Sequence, residues 1–383
     1  MLDTVYKDSL KLHKKFHGKL ELKSKVAIKN KRDLSLAYTP GVAEVCRVIG
    51  KDKSLAREYT IKKNTVAVIS DGSAILGLGN LGAEAAIPVM EGKAVLFKEF
   101  GGVDAFPICL DTQDTEEIIK TIKYLAPVFG GINLEDISAP RCFEIEERLK
   151  RELSIPVMHD DQHGTAVVVL AAMINALKIK KLDKSKAKVA ISGAGAAGTA
   201  VAKILINYGI TNVAICDSKG LIHKGRTDIN PAKMELAELT RQGRQADKDL
   251  KDLKEVIKNT DVFIGLSGPN IITRNEVRTM NAKPIILVLA NPVPEIMPDE
   301  ARAGGAYIVG TGRSDFPNQI NNVLAFPGIF RGALDNNVTQ ITEMMLVKAA
   351  ENLARYVKKP DVDNILPKPF DKGVAKLVAK AIK

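Results

Sequence analysis

Two acidic pairs stand where short apolar segments end: Glu135-Asp136 in GGINLEDIS and Asp160-Asp161 in IPVMHDDQHGT. Carboxylate oxygens suit hard divalent cations, and three converging from two strand ends would form a site for Mg²⁺ or Mn²⁺. Adjacent residues on a regular strand face opposite ways, so Glu135 and Asp136 share a cation only if the backbone turns there. Spacing alone leaves solvated loop acids or helix caps as an equal reading. His159 and His163 flank the second pair. A zinc motif with that spacing needs a helix to bring both imidazoles to one face. The run before His159 reads as strand and Gly164 as preceding the helix, so zinc is not expected; His163 is read as a helix-start or supporting residue. Lys93, in MEGKAVLF, leads into what reads as an apolar strand, where burial lowers a lysine pKa and suits it to act as a base. Tyr38, in LAYTPGVAE, precedes a Pro-Gly turn. Taken singly, each is more often a surface or packing residue than a catalyst.

A second chemistry is written in glycine. Gly193-Ala194-Gly195-Ala196-Ala197-Gly198 follows the strand-like KVAIS and opens an Ala-rich helix. Glycines there permit a tight turn and let backbone approach a pyrophosphate at the helix N-terminus. Asp217, ending the next strand NVAIC, can accept hydrogen bonds from an adenosine ribose. Gly77–Gly82 has the same glycine spacing, followed by Glu99, but SDGSAIL separates it from its strand. It is read as a structural or active-site loop, with a second cofactor site as the minority reading.

The elements that position these groups are short apolar runs alternating with helical patterns. Strands are expected at Val66–Ser70, Ala94–Phe97, Phe106–Leu110, Ile155–His159, Lys188–Ser192, Asn212–Cys216, Asp261–Gly265 and Pro284–Ala290. Helices are expected at Thr115–Leu125, Thr165–Leu177, Ala196–Tyr208 and Thr339–Tyr356. Such alternation means an α/β fold with parallel sheets. A length of 383 residues suggests two domains: a Rossmann-type dinucleotide-binding domain and an α/β substrate and metal domain completed by C-terminal helices. Boundaries near Asp160–Gly164 and Phe316–Asn322 give residues 1–160 plus 322–383 as catalytic and 161–321 as Rossmann-type.

Composition narrows the partners. Net charge is +11, but the lysines are scattered, as in Lys178, Lys180 and Lys181 or Lys248, Lys251 and Lys254, and aromatics make up 5% with no Trp. A stacking surface and a localised basic cluster are both missing, which argues against nucleic acid. A basic field still helps to gather a dianionic substrate. The four cysteines form no C-x-x-C pair and are read as buried free thiols of a reducing compartment. The start of the chain has no apolar core of signal-peptide length, and no apolar run reads as a membrane span, so a cytoplasmic protein is expected.

Read together, the segments resemble the malic enzyme family in its short prokaryotic form. The pieces that carry this are YTPGVA (38–43), SDGSAILGLGNLG (70–82), EGKAVLFKEFGG (91–102), NLEDIS (133–138), HDDQHGTA (159–166), GAGAAG (193–198), DSKGLIHKGR (217–226), ANPVPE (290–295) and NNVLAFPG (321–328). The resemblance implies oxidative decarboxylation of malate to pyruvate with NAD, or NADP, and Mg²⁺ or Mn²⁺. It implies Tyr38 as general acid to the enolate and Lys93 as general base to the malate hydroxyl. Glu135, Asp136 and Asp161 are implied metal ligands, with Asp160 positioning Lys93 or the metal site. Asn291 and Asn322 are implied substrate or nicotinamide contacts. A homodimer or higher homo-oligomer is expected. Longer eukaryotic members have an arginine just before ILGLG that binds a malate carboxylate; Ala74 stands there instead. The acyltransferase-like extension of some bacterial relatives is not expected. A malolactic enzyme or simple hydroxy-acid dehydrogenase is the alternative on the same frame, and a Rossmann-type nucleic-acid-binding protein the remote one. Asp217 favours NAD because its charge repels a ribose 2′-phosphate. Lys219, Lys224 and Arg226 offer that phosphate some compensation, so NAD is expected to be preferred and NADP used less well.

Overall fold

Two parallel sheets carry the molecule, both described in a computed structural model covering residues 2–240 and 252–383; Lys248 and Lys251 lie outside the described residues. The first sheet has β1 (Thr65–Ser70), β2 (Asp104–Cys109), β3 (Gly131–Leu134) and β4 (Val157–His159) in the order β2-β1-β3-β4. The second has β5 (Lys188–Ser192), β6 (Asn212–Asp217), β7 (Gly220–Leu221), β8 (Val262–Gly265), β9 (Ile285–Val288) and β10 (Ile308–Thr311), in the order β10-β9-β8-β5-β6-β7. Among the described strands β7 alone runs antiparallel to its neighbour. Parallel strands must be covered on both faces, which explains their continuous Val, Ile and Ala content.

The Asp160–Lys180 helix joins the sheets, and one apolar core runs from Val66 and Val68 of β1 through this helix to Val189 and Ile191 of β5. By length and hydropathy it could cross a membrane, but it is 72% buried inside the protein and opens on two acids, as a core helix does. It is longer than the expected Thr165–Leu177. Its first turn takes in Asp160 and Asp161, which the sequence places at a strand end, and His163, which it reads as a helix-start residue. After residue 322 the chain returns: Phe326 stacks edge-on to Phe97 at 4.7 Å, and Asn175 donates to the carbonyl of Ala354 in the Glu343–Tyr356 helix.

The run Ala94–Phe97 is not a strand. It lies inside the Ala83–Gly101 helix, whose buried residues Ala83, Ala86, Met90, Ala94, Phe97 and Gly101 repeat at three to four residues. Four residues were too short a window to show that period. The expected strands otherwise appear with ends shifted by a residue or two, while β3, β7 and β10 were not read. Of the cysteines, Cys142 and Cys216 are buried, but Cys46 is exposed.

The N-terminal stretch differs from the rest. No residue from 4 to 64 is buried. The helices Lys31–Ala37 and Val42–Lys51 bury nothing, and Leu10, Leu22 and Leu36 stand in solvent.

Candidate active site

The carboxyl ends of β1, β3 and β4 meet at one edge of the first sheet, where ligands gather in parallel α/β folds. β3 leads into Glu135 and Asp136, and β4 runs directly into the helix beginning Asp160-Asp161. Asp136 has φ +54°, a left-handed turn that aspartate tolerates better than most residues. This is the backbone turn the adjacent acids required. With it, one oxygen each of Glu135, Asp136 and Asp161 lie within 4.8 Å of one another. The Asp136 amide donates to Asp161 Oδ2 at 2.9 Å, locking the two strand ends together.

Lys93 enters from the Ala83–Gly101 helix, on its buried face. Its Nζ lies 2.6 Å from Asp160 Oδ2 and 2.7 Å from Glu135 Oε1, and 4.3 Å from the centre of the Phe326 ring. Burial pushes the Lys93 pKa down, as the sequence suggested, but attraction to Asp160, Glu135 and Asp161 outweighs it and the net shift is upward. Lys93 therefore rests as an ammonium. The acids are pushed the other way. Burial, then repulsion from Asp161, raises Asp136 to about 7. Burial, opposed by Lys93, raises Asp160 to about 6, and burial holds Glu135 well above the usual carboxylate range.

Four carboxyls around one ammonium leave negative charge unbalanced. The buried Asp136 Oδ2 has no hydrogen-bond partner, and Asn133 Nδ2 holds Glu135 Oε2 at 3.0 Å. An orphaned, buried carboxylate oxygen is costly. A divalent cation fits these donors by charge, hardness and spacing. It would also relieve the field that keeps the proton on Lys93. Gly164 belongs to the same design, because a Cβ there would fall 1.9 Å from Asp160 Oδ1.

The glycine turn after β5 forms as the sequence expects. Gly193 has φ +104°, and a Cβ on Gly198 would meet the Gly193 carbonyl at 1.7 Å. Gly195 caps the helix that begins with Ala196 and Ala197. A cleft of about 780 Å³ opens over this turn, bounded by Asp217, Lys233 and Ser267 on one side and Pro140 and Phe143 on the other. It thus lies between the end of β5 and the start of the Arg141–Glu152 helix. The Gly77–Gly82 loop packs against the Asn291 segment: a Cβ on Gly77 would lie 3.1 Å from the carbonyl of Asn291. Asn322 packs beside Gly164, where its Cβ restricts the same space. Ala74 sits on the turn itself, its amide donating to the Asp136 carbonyl.

Tyr38 is not brought to Lys93 within the chain. It ends the Lys31–Ala37 helix, 67% exposed, with no side-chain hydrogen bond to the carboxylates. His159 and His163 do not form a zinc pair; His163 Nε2 donates to Glu146 Oε2 at 3.0 Å. Sequence reading missed Glu146 and Asn133. For Glu146 a signal was present: it stands on the stripe Cys142, Ile145, Leu149, where an acid is out of place unless partnered.

Comparison with known proteins adds the following. Residues 17–150 match the malic enzyme N-terminal domain and residues 162–382 the malic enzyme NAD binding domain. A bifunctional malic/malolactic enzyme of Bacillus subtilis is 56% identical over 99% of this chain and 92% of its own length. An NAD-dependent malic enzyme of Geobacillus stearothermophilus is 54% identical over 95% of this chain and 76% of its own. The crystal structure of NAD-dependent malic enzyme from Thermotoga maritima superposes with a TM-score of 0.93 at 47% identity, covering 98% of both chains.

Proposed function

The chain belongs to the malic enzyme family, and from that premise we propose that it oxidises (S)-malate and removes carbon dioxide to give pyruvate. The observation that carries this is Lys93 clamped between Asp160 and Glu135, beside three carboxylates of which one buried oxygen is unpartnered. Glu135, Asp136 and Asp161 would hold Mg²⁺ or Mn²⁺, which when bound supplies Lewis acidity to the C2 oxygen. The Gly193–Gly198 turn would hold NAD(P), the hydride acceptor for C2. Lys93, after giving up its own proton, takes the proton of the C2 hydroxyl, and Asp160 keeps its Nζ aimed at that oxygen. Asn291 and Asn322 would contact substrate or nicotinamide. Tyr38 returns a proton to C3 after carbon dioxide leaves.

Tyr38 can do this only if something brings it to a site. Its whole segment, residues 4–64, buries nothing of its own. Exposed apolar side chains along it, among them Leu10, Leu22, Leu36 and Tyr38, support an interface there. We propose a homodimer in which this segment covers a second copy and its Tyr38 serves that copy's Lys93. Residues 1–160 with 322–383 would then form the substrate and metal domain, and 161–321 the dinucleotide domain. This division is supported by the packing of Phe326 on Phe97.

Lys93→Ala and Tyr38→Phe should each lower malate turnover by roughly 10²–10⁴-fold, the usual contribution of placed proton transfer. Mixed and allowed to exchange subunits, the two inactive variants should regain activity, because one site of the mixed dimer has both residues intact. No recovery after demonstrated exchange means that Tyr38 does not act across the dimer. A second reading comes from the Bacillus subtilis relative, whose name includes malolactic activity. Lactate formed without net NAD(P)H, in place of pyruvate with it, would favour that reading.

A further inference from the structure

Glu146 is a buried anion that touches none of the groups assigned above to chemistry. It lies on the Arg141–Glu152 helix, among the buried Cys142, Ile145 and Leu149. An ionised carboxyl in such surroundings is stable only with partners, and Glu146 has four. Its Oε1 accepts the His159 backbone N–H at 2.9 Å and lies 2.8 Å from Lys150 Nζ. Its Oε2 accepts from Gln162 Nε2 at 3.3 Å and His163 Nε2 at 3.0 Å. Burial raises the Glu146 pKa, but His163 and Lys150 outweigh it, so the carboxyl stays ionised.

Three of those four partners belong to one stretch, His159–His163. That stretch is the first turn of the Asp160–Lys180 helix. Its other side carries Asp160, which holds Lys93, and Asp161, which accepts the Asp136 amide. Both functional acids thus hang on a turn whose far side is clamped to a different helix by one carboxylate. The charge also sits where the helix dipole is positive, which favours an anion there.

We infer that Glu146 is a positioning residue for the carboxylate centre: it sets the first turn of this helix so that Asp161 meets Glu135 and Asp136 while Asp160 meets Lys93. The inference rests on the reading of Glu135, Asp136 and Asp161 as metal ligands. Packing alone does not account for the acid. A glutamine fills the same volume and can still accept from the His159 amide. However, it turns an NH₂ toward Gln162 and removes the charge that faces Lys150 and His163.

The test measures Mn²⁺ binding directly, by equilibrium dialysis of the dimeric protein, alongside NADH binding and the thermal midpoint. Glu146→Gln is expected to weaken Mn²⁺ by about 10–100-fold, the usual effect of removing a residue that supports ligands. NADH affinity should not change, and the kcat lost at low Mn²⁺ should return at high Mn²⁺. Glu146→Asp, which keeps the charge, should bind Mn²⁺ more tightly than Glu146→Gln. Asp161→Ala serves as the control for the metal reading. If Asp161→Ala loses Mn²⁺ and Glu146→Gln does not, Glu146 has no positioning role. A parallel loss of NADH affinity and thermal midpoint in Glu146→Gln would make the role generally structural and overturn the inference. Unchanged Mn²⁺ binding in Asp161→Ala removes the metal assignment and the inference with it.

Discussion

Asp136 and Asp217 both stand at the carboxyl end of a parallel strand, and the chain treats them in opposite ways. Asp217 is saturated: Arg226 grips both its oxygens at 2.8 and 3.1 Å, Lys233 sits at 2.6 Å and the Lys219 amide donates at 2.9 Å. Burial works against its ionisation, but the Arg226 and Lys233 hydrogen bonds win and bring it down to about 2. Asp136 is starved. Among the described residues no cation pairs with it directly, one oxygen is orphaned, and it rises to about 7. A saturated acid at a strand end shapes a surface for a ligand that bonds around it. An unsaturated one marks a place where the ligand itself must bring the positive charge.

Replacing each acid by its amide should therefore have effects of opposite sign. Asp136→Asn keeps the volume and tolerates φ +54°. With EDTA present near pH 8 it should raise the thermal midpoint, by about 2 °C or more, because it removes an uncompensated buried charge. It should also cut Mn²⁺-dependent malate turnover by at least about 10²-fold, more than loss of a supporting residue costs. Asp217→Asn should lower the midpoint and leave Mn²⁺ affinity intact. If both amides destabilise the chelated protein, Asp136 is not waiting for a cation and the contrast fails.

Much of the contrast was legible in the sequence. Strand, glycine turn, helix, strand and Asp217 follow one another within a local stretch, so the dinucleotide half could be read with its helix limits at Ala196–Tyr208 intact. The carboxylate half could be listed but not built. Whether Glu135 and Asp136 face together depends on one positive φ at Asp136, which no spacing encodes. Lys93 was placed before a strand because AVLF looks extended when read alone; the helix shows only over the longer repeat from Ala83 to Gly101. Asp160 and Asp161 were read at a strand end, and the helix that starts there is clamped by Glu146, which lies 13 to 17 residues before its partners on that turn. Tyr38 was legible as a residue type in a motif, but no residue of its segment, from 4 to 64, is buried within one chain.

The next test sharpens the Asp217 side of the comparison. The cations near it are already engaged: Arg226 also holds Asp228, and Lys219 Nζ pairs with Asp228 at 2.9 Å. A 2′-phosphate would have to draw them from their acids and also face Asp217 itself. NAD should therefore be preferred over NADP by kcat/KM. Asp217→Asn should move the ratio toward NADP by about tenfold, the scale of one hydrogen bond to a charged group. Arg226→Ala should move it the other way. A strong native preference for NADP would show that the cations leave Asp217 for the phosphate when the cofactor binds.

The smallest expected effect is on acid stability, and it isolates the Asp217 ion pairs from any ligand. The Asp217 carboxyl lies at about 2 in the folded protein, against an ordinary value of 3.8. A depressed folded pKa stabilises the protein above the unfolded value, and that contribution is lost as pH falls through the folded one. The stabilisation should be complete above about pH 4.5 and about half gone by pH 3. Its size should be about 1 kcal/mol once solvent screening of the cleft is allowed for. The difference in thermal midpoint between the native protein and Asp217→Asn, followed from pH 6 to pH 3, reads this directly. It should narrow over the lower half of that range. A difference that holds constant to pH 3 would mean that Asp217→Asn acts through lost packing around Arg226 and Lys233, and that the charge on Asp217 matters only when a ribose is present.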